Sequence, residues 1–324
     1  MVAHVTAQGR GRKPRVARAV ARCLLPVCGL IALLALAACG TPAVPVPTAT
    51  PAPVNFDGAR AYDAVLRQVA FGPRPAGSQA LADTRTYITG ELTRWDWVTE
   101  DQEFVYKGVS LHNIVARKGQ GAGPVVILGA HYDTRLRADR DPVDTSQPVL
   151  GANDGASGAA VLLELARSLD MQYIRYEVWL AFFDAEDNGD IDGWEWLVGS
   201  TYMAEHLTIT PAFVLVVDMV GDRDQQLYLE QNSTPAVRDA IWATAARLGY
   251  GSYFIPQPKW AMIDDHTPFL RRGLAAVDVI DFDYAYWHTG GDTADKVSAA
   301  SLERVGRTLE AYLETNTAQG TAYP

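Results

Sequence analysis

The chain has 324 residues, 48% of them hydrophobic and 20% charged, the balance of a folded protein with a sizeable core rather than a disordered or fibrous one. Formal net charge is −10, and the only charges before Cys39 are six basic residues (Arg10, Arg12, Lys13, Arg15, Arg18, Arg22), so the remainder carries −16. Nucleic-acid binding needs a basic surface, and this balance argues against it. Bound cations would offset part of the acid.

The N-terminus reads as an address. A basic region up to Arg22 precedes an apolar run, Leu24 to Ala38, whose last residues lead into Cys39 as Leu36-Ala37-Ala38-Cys39. That order is a secretory signal. Leu-Ala-Ala-Cys followed by Gly40 resembles the bacterial lipoprotein cleavage box, in which the cysteine becomes the lipidated first residue of the mature chain. The run is short for a true membrane span; a plain signal peptide cut near Ala38 and an uncleaved anchor are the alternatives. The expectation is a signal peptide over 1–38, a lipidated Cys39 with its tether over 39–54, and a domain over 55–324. That domain would be secreted across the bacterial cytoplasmic membrane and held to it through the lipid alone. Gly40 to Val54 is uncharged, lacks aromatics and is dense in proline, which favours a semi-rigid polyproline II tether. The three cysteines, Cys23, Cys28 and Cys39, all lie at or before the cleavage point. The domain then has no disulfide and no thiolate, and any metal must be held by histidine and carboxylate.

Ala59 to Phe71 reads as a helix with Tyr62, Val65, Leu66 and Val69 on one stripe, and Gly72 to Ser78 breaks it. Leu81 to Arg94 reads as a second helix. Trp97 to Val105 and Leu111 to Ala116 read as strands joined through Lys107-Gly108. Pro124 to Ala130 is a buried strand ending at His131-Tyr132-Asp133. Gly151 to Gly158 is built of small residues and runs into a helix, Ala159 to Leu169; small residues at a helix start let backbone approach a ligand. An apolar, aromatic strand from Tyr176 ends abruptly at Glu186-Asp187. Asn188 to Val198 is a loop, and Gly199 to His206 is expected to be helical. Ala212 to Val217 is a strand ending at Asp218, Thr234 to Leu248 a helix, and Ala275 to Ile280 a strand followed by the loop Tyr284 to His288. Ser301 to Leu313 closes as an amphipathic helix. The alternation predicts one α/β domain with a mostly parallel sheet.

In open α/β sheets ligands bind beyond the carboxyl ends of the strands. His131, Glu186, Asp187, Asp218 and His288 all follow strand ends, and Asp154 precedes a helix. Two imidazoles with three carboxylates suit zinc or a similar divalent ion, and a bridging carboxylate can hold two. Asp133, two residues after His131, can accept its second ring proton. Glu186 is left over as a general base. Each residue has an ordinary alternative: a structural histidine at 131, a helix cap at Asp154, a turn acid at Asp218, loop surface at His288. The combination is what argues for a site.

His131-Tyr132-Asp133, Asn153 to Gly158, Phe182 to Asp187, Val217-Asp218-Met219 and His288-Thr289 resemble the co-catalytic zinc aminopeptidases of the bacterial leucyl aminopeptidase type. Asp264-Asp265-His266-Thr267-Pro268-Phe269-Leu270-Arg271-Arg272-Gly273 and Trp287-His288-Thr289 resemble the glutaminyl cyclase branch more specifically. The resemblance spans roughly Tyr62 to Leu313 and implies a three-layer α/β/α sandwich. In the cyclases it implies one zinc, on Asp154, Asp187 and His288, with Glu186 as proton shuttle, Asp218 and Asp264 as accessory acids, and Trp287 and Trp194 walling the pocket. In the aminopeptidases His131 and Asp218 would complete a second zinc site. Three departures stand out: Asp187 where the family has glutamate, Ile263 where animal cyclases are expected to have glutamine, and a different loop after Asp187.

The first expectation is therefore a zinc-dependent glutaminyl-peptide cyclotransferase acting on peptide or protein N-termini. A two-zinc aminopeptidase is the second, and a non-catalytic peptide-binding lipoprotein the third.

Overall fold

The computed structural model describes residues 54–315. The expected signal peptide, Cys39 and nearly all of the proline-rich tether lie outside the described residues. Among these residues, no helix is long and apolar enough to cross a membrane.

The strands are β1 (Val98–Tyr106), β2 (Val109–Lys118), β3 (Val125–His131), β4 (Glu177–Phe183), β5 (Phe213–Asp218), β6 (Leu227–Leu229), β7 (Phe254–Pro258) and β8 (Ala276–Ile280). The helices are α1 (Gly58–Ala70), α2 (Gln79–Arg94), α3 (Ala156–Ser168), α4 (Val198–His206), α5 (Pro235–Arg247), α6 (Thr267–Arg271) and α7 (Ala299–Thr315). The main sheet runs β1-β2-β4-β3-β5-β8. β1, β2 and β4 pair antiparallel, whereas β4, β3, β5 and β8 run parallel. This is the mostly parallel mixed sheet expected.

The central strands alternate between two cores, because successive side chains of a strand point to opposite faces. Val126, Leu128, Val178, Leu180, Phe182, Leu215 and Val217 join the core beneath α1, α3, α5 and α7. Ile127, Trp179, Ala181, Phe183, Val214 and Val216 join Met203 of α4, Leu207 just after it and Phe269 of α6 on the other face. Helix, sheet and helix thus form three layers. Both sheet faces are covered, which is why these strands read as continuous apolar runs.

The parallel register brings the functional ends level: His131 pairs with Phe183, and Asp218 with Ile280. Four polar segments therefore leave one edge of the sheet together. The α3 helix starts three residues earlier than expected, at Ala156, because Gly155 caps it with φ +97°. A Cβ at Gly155 would lie 2.2 Å from the Asp133 carbonyl oxygen, so only glycine lets the two loops touch. Four short elements are additional to the expected set: β6, β7, α6 and a 3-10 turn over Ala294–Lys296.

Candidate active site and metal centre

Asp154, Asp187 and His288 can each offer a ligand atom within 4.8 Å of the others, and so can His131, Asp154 and Asp218. Asp154 belongs to both groups. His288 Nε2 lies 3.0 Å from Asp187 Oδ1 and 3.9 Å from Asp154 Oδ2. His131 Nε2 lies 3.1 Å from Asp218 Oδ1 and 3.2 Å from Asp154 Oδ1. Asp154 Oδ2 and Asp187 Oδ2 are buried with no hydrogen-bond partner. Buried polar atoms are normally paired, so orphaned oxygens aimed into a histidine-carboxylate cluster fit a divalent cation.

The backbone is strained where this chemistry is delivered. Ala185 (φ 55°), Met219 (φ 47°) and His288 (φ 59°) are non-glycine residues in the left-handed region, one on each of three converging segments. Such conformations persist where surrounding contacts over-determine them.

Buried charged groups one layer out hold the loops that carry these residues. Asp133 accepts the backbone N–H of Glu186 at 3.1 Å and of Asp187 at 3.2 Å, while His131 Nδ1 lies 3.4 Å from its Oδ1. It therefore shapes the Glu186-Asp187 turn, and it lies beside the ring whose second proton it is expected to accept. Asp292 accepts the N–H of Asn153 and of Asp154 at 2.9 and 3.1 Å, and receives the Tyr284 hydroxyl at 2.7 Å. Arg135 reaches Asp187, and Asp139 braces Arg135 with both oxygens at 2.7 Å. Arg74, fully buried, donates to the carbonyls of Leu150 and Gly151 and so staples the loop that leads to Asp154. Sequence reasoning missed Asp292, Arg135, Asp139 and Arg74. The sequence signal for Asp292 is an acid four residues after His288; for Arg135 it is the basic residue four after His131.

The cavity over the cluster has a volume of about 230 Å³. Glu186, Asp218, Asp264, Trp287 and His288 line it, with Ile263 and Met262 among its apolar walls. Trp194, expected as a wall, is elsewhere: it packs 5.3 Å from Tyr106. Trp196 takes that place, its ring 8° from parallel with His288 at 5.9 Å. The turn explains the exchange. It closes through Trp194 N–H to the Ile191 carbonyl and Asp190 N–H to the Trp194 carbonyl. Leu197 then leaves it with φ 61°. Trp196 lies over Gly189, where a Cβ would sit 2.0 Å from the indole. Asp154 does not cap α3, whose start has no side-chain cap.

Electrostatics at the cluster are those of crowded buried acids. Burial, with its neighbouring carboxylates, pushes Glu186 well above the usual range. Burial also raises Asp187, to about 6, with Asp154 adding to it, and Asp218, to about 7, with Asp264 adding to it. Burial would raise Asp154 too, but the His131 hydrogen bond and charge hold it below the usual range. Burial would lower His131, but the Asp218 charge and its carboxylate contacts hold it well above. Each of these acids would be eased by a cation among them.

The sequence profile of Peptidase family M28 matches residues 113–313. A glutaminyl cyclase from Bacteroides thetaiotaomicron, crystallised with N-acetylhistamine, is 30% identical, with TM-score 0.76 over 81% of this chain and 99% of that one. A leucine aminopeptidase precursor from the same species gives the same identity, TM-score and coverage. The Drosophila melanogaster protein named glutaminyl-peptide cyclotransferase is 26% identical over 280 residues, covering 74% of this chain and 76% of its own length. Sheet order, site geometry and these likenesses agree: the chain belongs to peptidase family M28, as an enzyme of its glutaminyl-cyclase-like group.

Proposed function

We propose that this enzyme is a zinc-dependent glutaminyl-peptide cyclotransferase, converting the N-terminal glutamine of a peptide or protein to pyroglutamate with release of ammonia. The observation that carries the reading is the position of Glu186. It lines the same cavity as Asp154, Asp187 and His288 but belongs to neither metal-compatible group, so its carboxylate is free to move a proton. A cavity of about 230 Å³ suits a single side chain rather than a long ligand.

Asp154, Asp187 and His288 would hold one zinc, which when bound supplies Lewis acidity toward the glutamine side-chain amide carbonyl. Glu186 takes a proton from the α-amine as its nitrogen bonds to the amide carbon. It returns the proton to the departing amide nitrogen, which leaves as ammonia. Asp218 and Asp264 line the cavity as accessory acids that orient the folded-back glutamine, since placing amine against amide is much of the task. Trp287 and Trp196 wall the cavity and limit water.

A second reading is supported by the His131, Asp154 and Asp218 group, which would take a second zinc. Glu186 would then activate water in an aminopeptidase. Membership of an enzyme family sets aside the third expectation, a non-catalytic peptide binder. Purified protein assayed in parallel on Gln- and Leu-initiated peptides, with metal analysis, separates the first two. Ammonia and pyroglutamate with one zinc per chain support the cyclase; free leucine with two zincs and no pyroglutamate overturns it.

A further inference from the structure

A second opening, of about 240 Å³, lies against the edge of the sheet. Phe104 and Tyr106 of β1 and Trp196 and Tyr202 give it aromatic walls, and Glu195 and Glu205 supply carboxylates. Trp196 also lines the cavity over the candidate centre, so the two openings share one indole as a common wall.

Its walls are fixed. Phe104 and Tyr202 stack at 4.1 Å with 7° between their planes, and Tyr202 stacks in turn on His206 at 4.0 Å. Tyr106 holds Trp194 at 5.3 Å. The rim is acidic: Glu195 and Glu205 are both exposed, and among the described residues neither has an ion-pair partner. Two cations lie nearby, neither of them part of the lining: Lys107, 5.7 Å from the Tyr106 ring centroid, and Arg272, whose guanidinium is spent on the carbonyls of Ala204 and Leu207.

Aromatic walls under unpaired carboxylates match one side-chain chemistry. The methylene stem of lysine or arginine lies along aromatic faces while its charged head stays in water at the rim. The ring quadrupoles attract the cation, and the carboxylates pair with it. A substrate whose first residue occupies the metal cavity must lead its following residues past a cavity wall, and Trp196 is the wall with a second cavity behind it. We propose that this opening is a subsite for a basic side chain of the substrate peptide, one to three residues after the N-terminal residue. The proposal rests on the peptide N-terminus reading above and names the peptide class that reading would favour.

The test uses Gln-initiated tetrapeptides in which one lysine, or one glutamate, is moved through positions two to four of an alanine background. Glutaminamide, too short to reach the subsite, is the internal standard. Wild-type protein and the E195Q/E205Q double variant are compared by ammonia release. At one position lysine should exceed glutamate in kcat/KM by about fivefold, the scale of rim ion pairs combined with a cation–π contact. That ratio should shrink in high salt, which screens exposed charges, and approach one in the double variant. A ratio near one at every position, or one that persists in E195Q/E205Q, overturns the subsite while glutaminamide conversion still upholds the cyclase. If glutaminamide is not converted, the cyclase reading fails. The same lysine and glutamate scan on Leu-initiated peptides, read as leucine release, then decides the subsite, and conversion of neither series overturns both.

Discussion

The Arg135 guanidinium grips Asp187 at two points, with Nη1 2.9 Å from its carbonyl oxygen and 3.4 Å from Oδ1. The same group is forked onto Asp139, whose Oδ1 approaches His288 Nδ1 to 3.6 Å. Its Cζ also lies 4.7 Å from the Trp196 ring centroid. One arginine thus orients an acid and, through Asp139, sets a carboxylate beside an imidazole of the same proposed ligand set. Lysine at this position keeps the charge but loses the fork. The Arg135→Lys protein should fold and bind zinc about 10–100-fold more weakly, the usual cost of losing a contact that orients a ligand. Competition against a chromogenic chelator measures it, and unchanged affinity would show that Asp187 and His288 are held by other contacts.

Glu186 and Asp187 are neighbours with different proposed tasks. Glu186→Gln should lower turnover by about 10²–10⁴-fold with zinc content intact, because it removes proton transfer alone. Asp187→Ala should lose the metal. Finding Glu186→Gln protein metal-free would mean that the two roles are exchanged.

Asp264 lines the cavity with Oδ2 lacking a partner, yet it belongs to neither metal-compatible group. Asp264→Ala should therefore depress cyclisation by about 10²-fold, the scale of misplacing a reactant, while zinc is retained. Loss of zinc on this change would move Asp264 into the ligand set.

Asp184 gives a stability prediction. Its Oδ2 accepts the His112 N–H at 2.8 Å, and burial followed by the Asp133 charge pushes it up to about 8 from an ordinary 3.8. A carboxyl raised on folding stays protonated in the native chain while the unfolded chain ionises. Its contribution is thus fully present below about pH 4 and falls by about 1.4 kcal/mol per pH unit until about pH 8. Asp184→Asn keeps an acceptor for His112 and has no proton to lose. Urea titrations at pH 5, 7 and 9 should show the variant gaining on wild type as pH rises; a constant difference would show that Asp184 is ionised in the fold.

The Leu36-Ala37-Ala38-Cys39 box is the ground for a proposal on location: the mature protein is anchored by lipid on Cys39. Native protein should partition into detergent, and Cys39→Ser should release or misprocess it. A mature chain with another first residue, recovered from the aqueous phase, would refute the anchor.

Sequence alone determined where the chemistry leaves the sheet. Central strands covered on both faces must be apolar throughout, so Ile127-Leu128 or Leu180 to Phe183 announce themselves, and the polar residues within four positions beyond each one mark the sheet edge. That is why His131, Glu186, Asp187 and Asp218 were legible. Tertiary structure decided what holds them. Asp292 reaches Asp154 across 138 residues of chain, and Arg135 reaches Asp187 across 52. No local pattern encodes such pairs, because each partner alone resembles a polar loop residue. The choice of Trp196 over Trp194 was likewise settled by a turn, through two backbone hydrogen bonds and a left-handed Leu197. The short β6, β7 and α6 escaped for a related reason: three to five residues carry too little periodicity to read, and packing on the larger sheet is what makes them form.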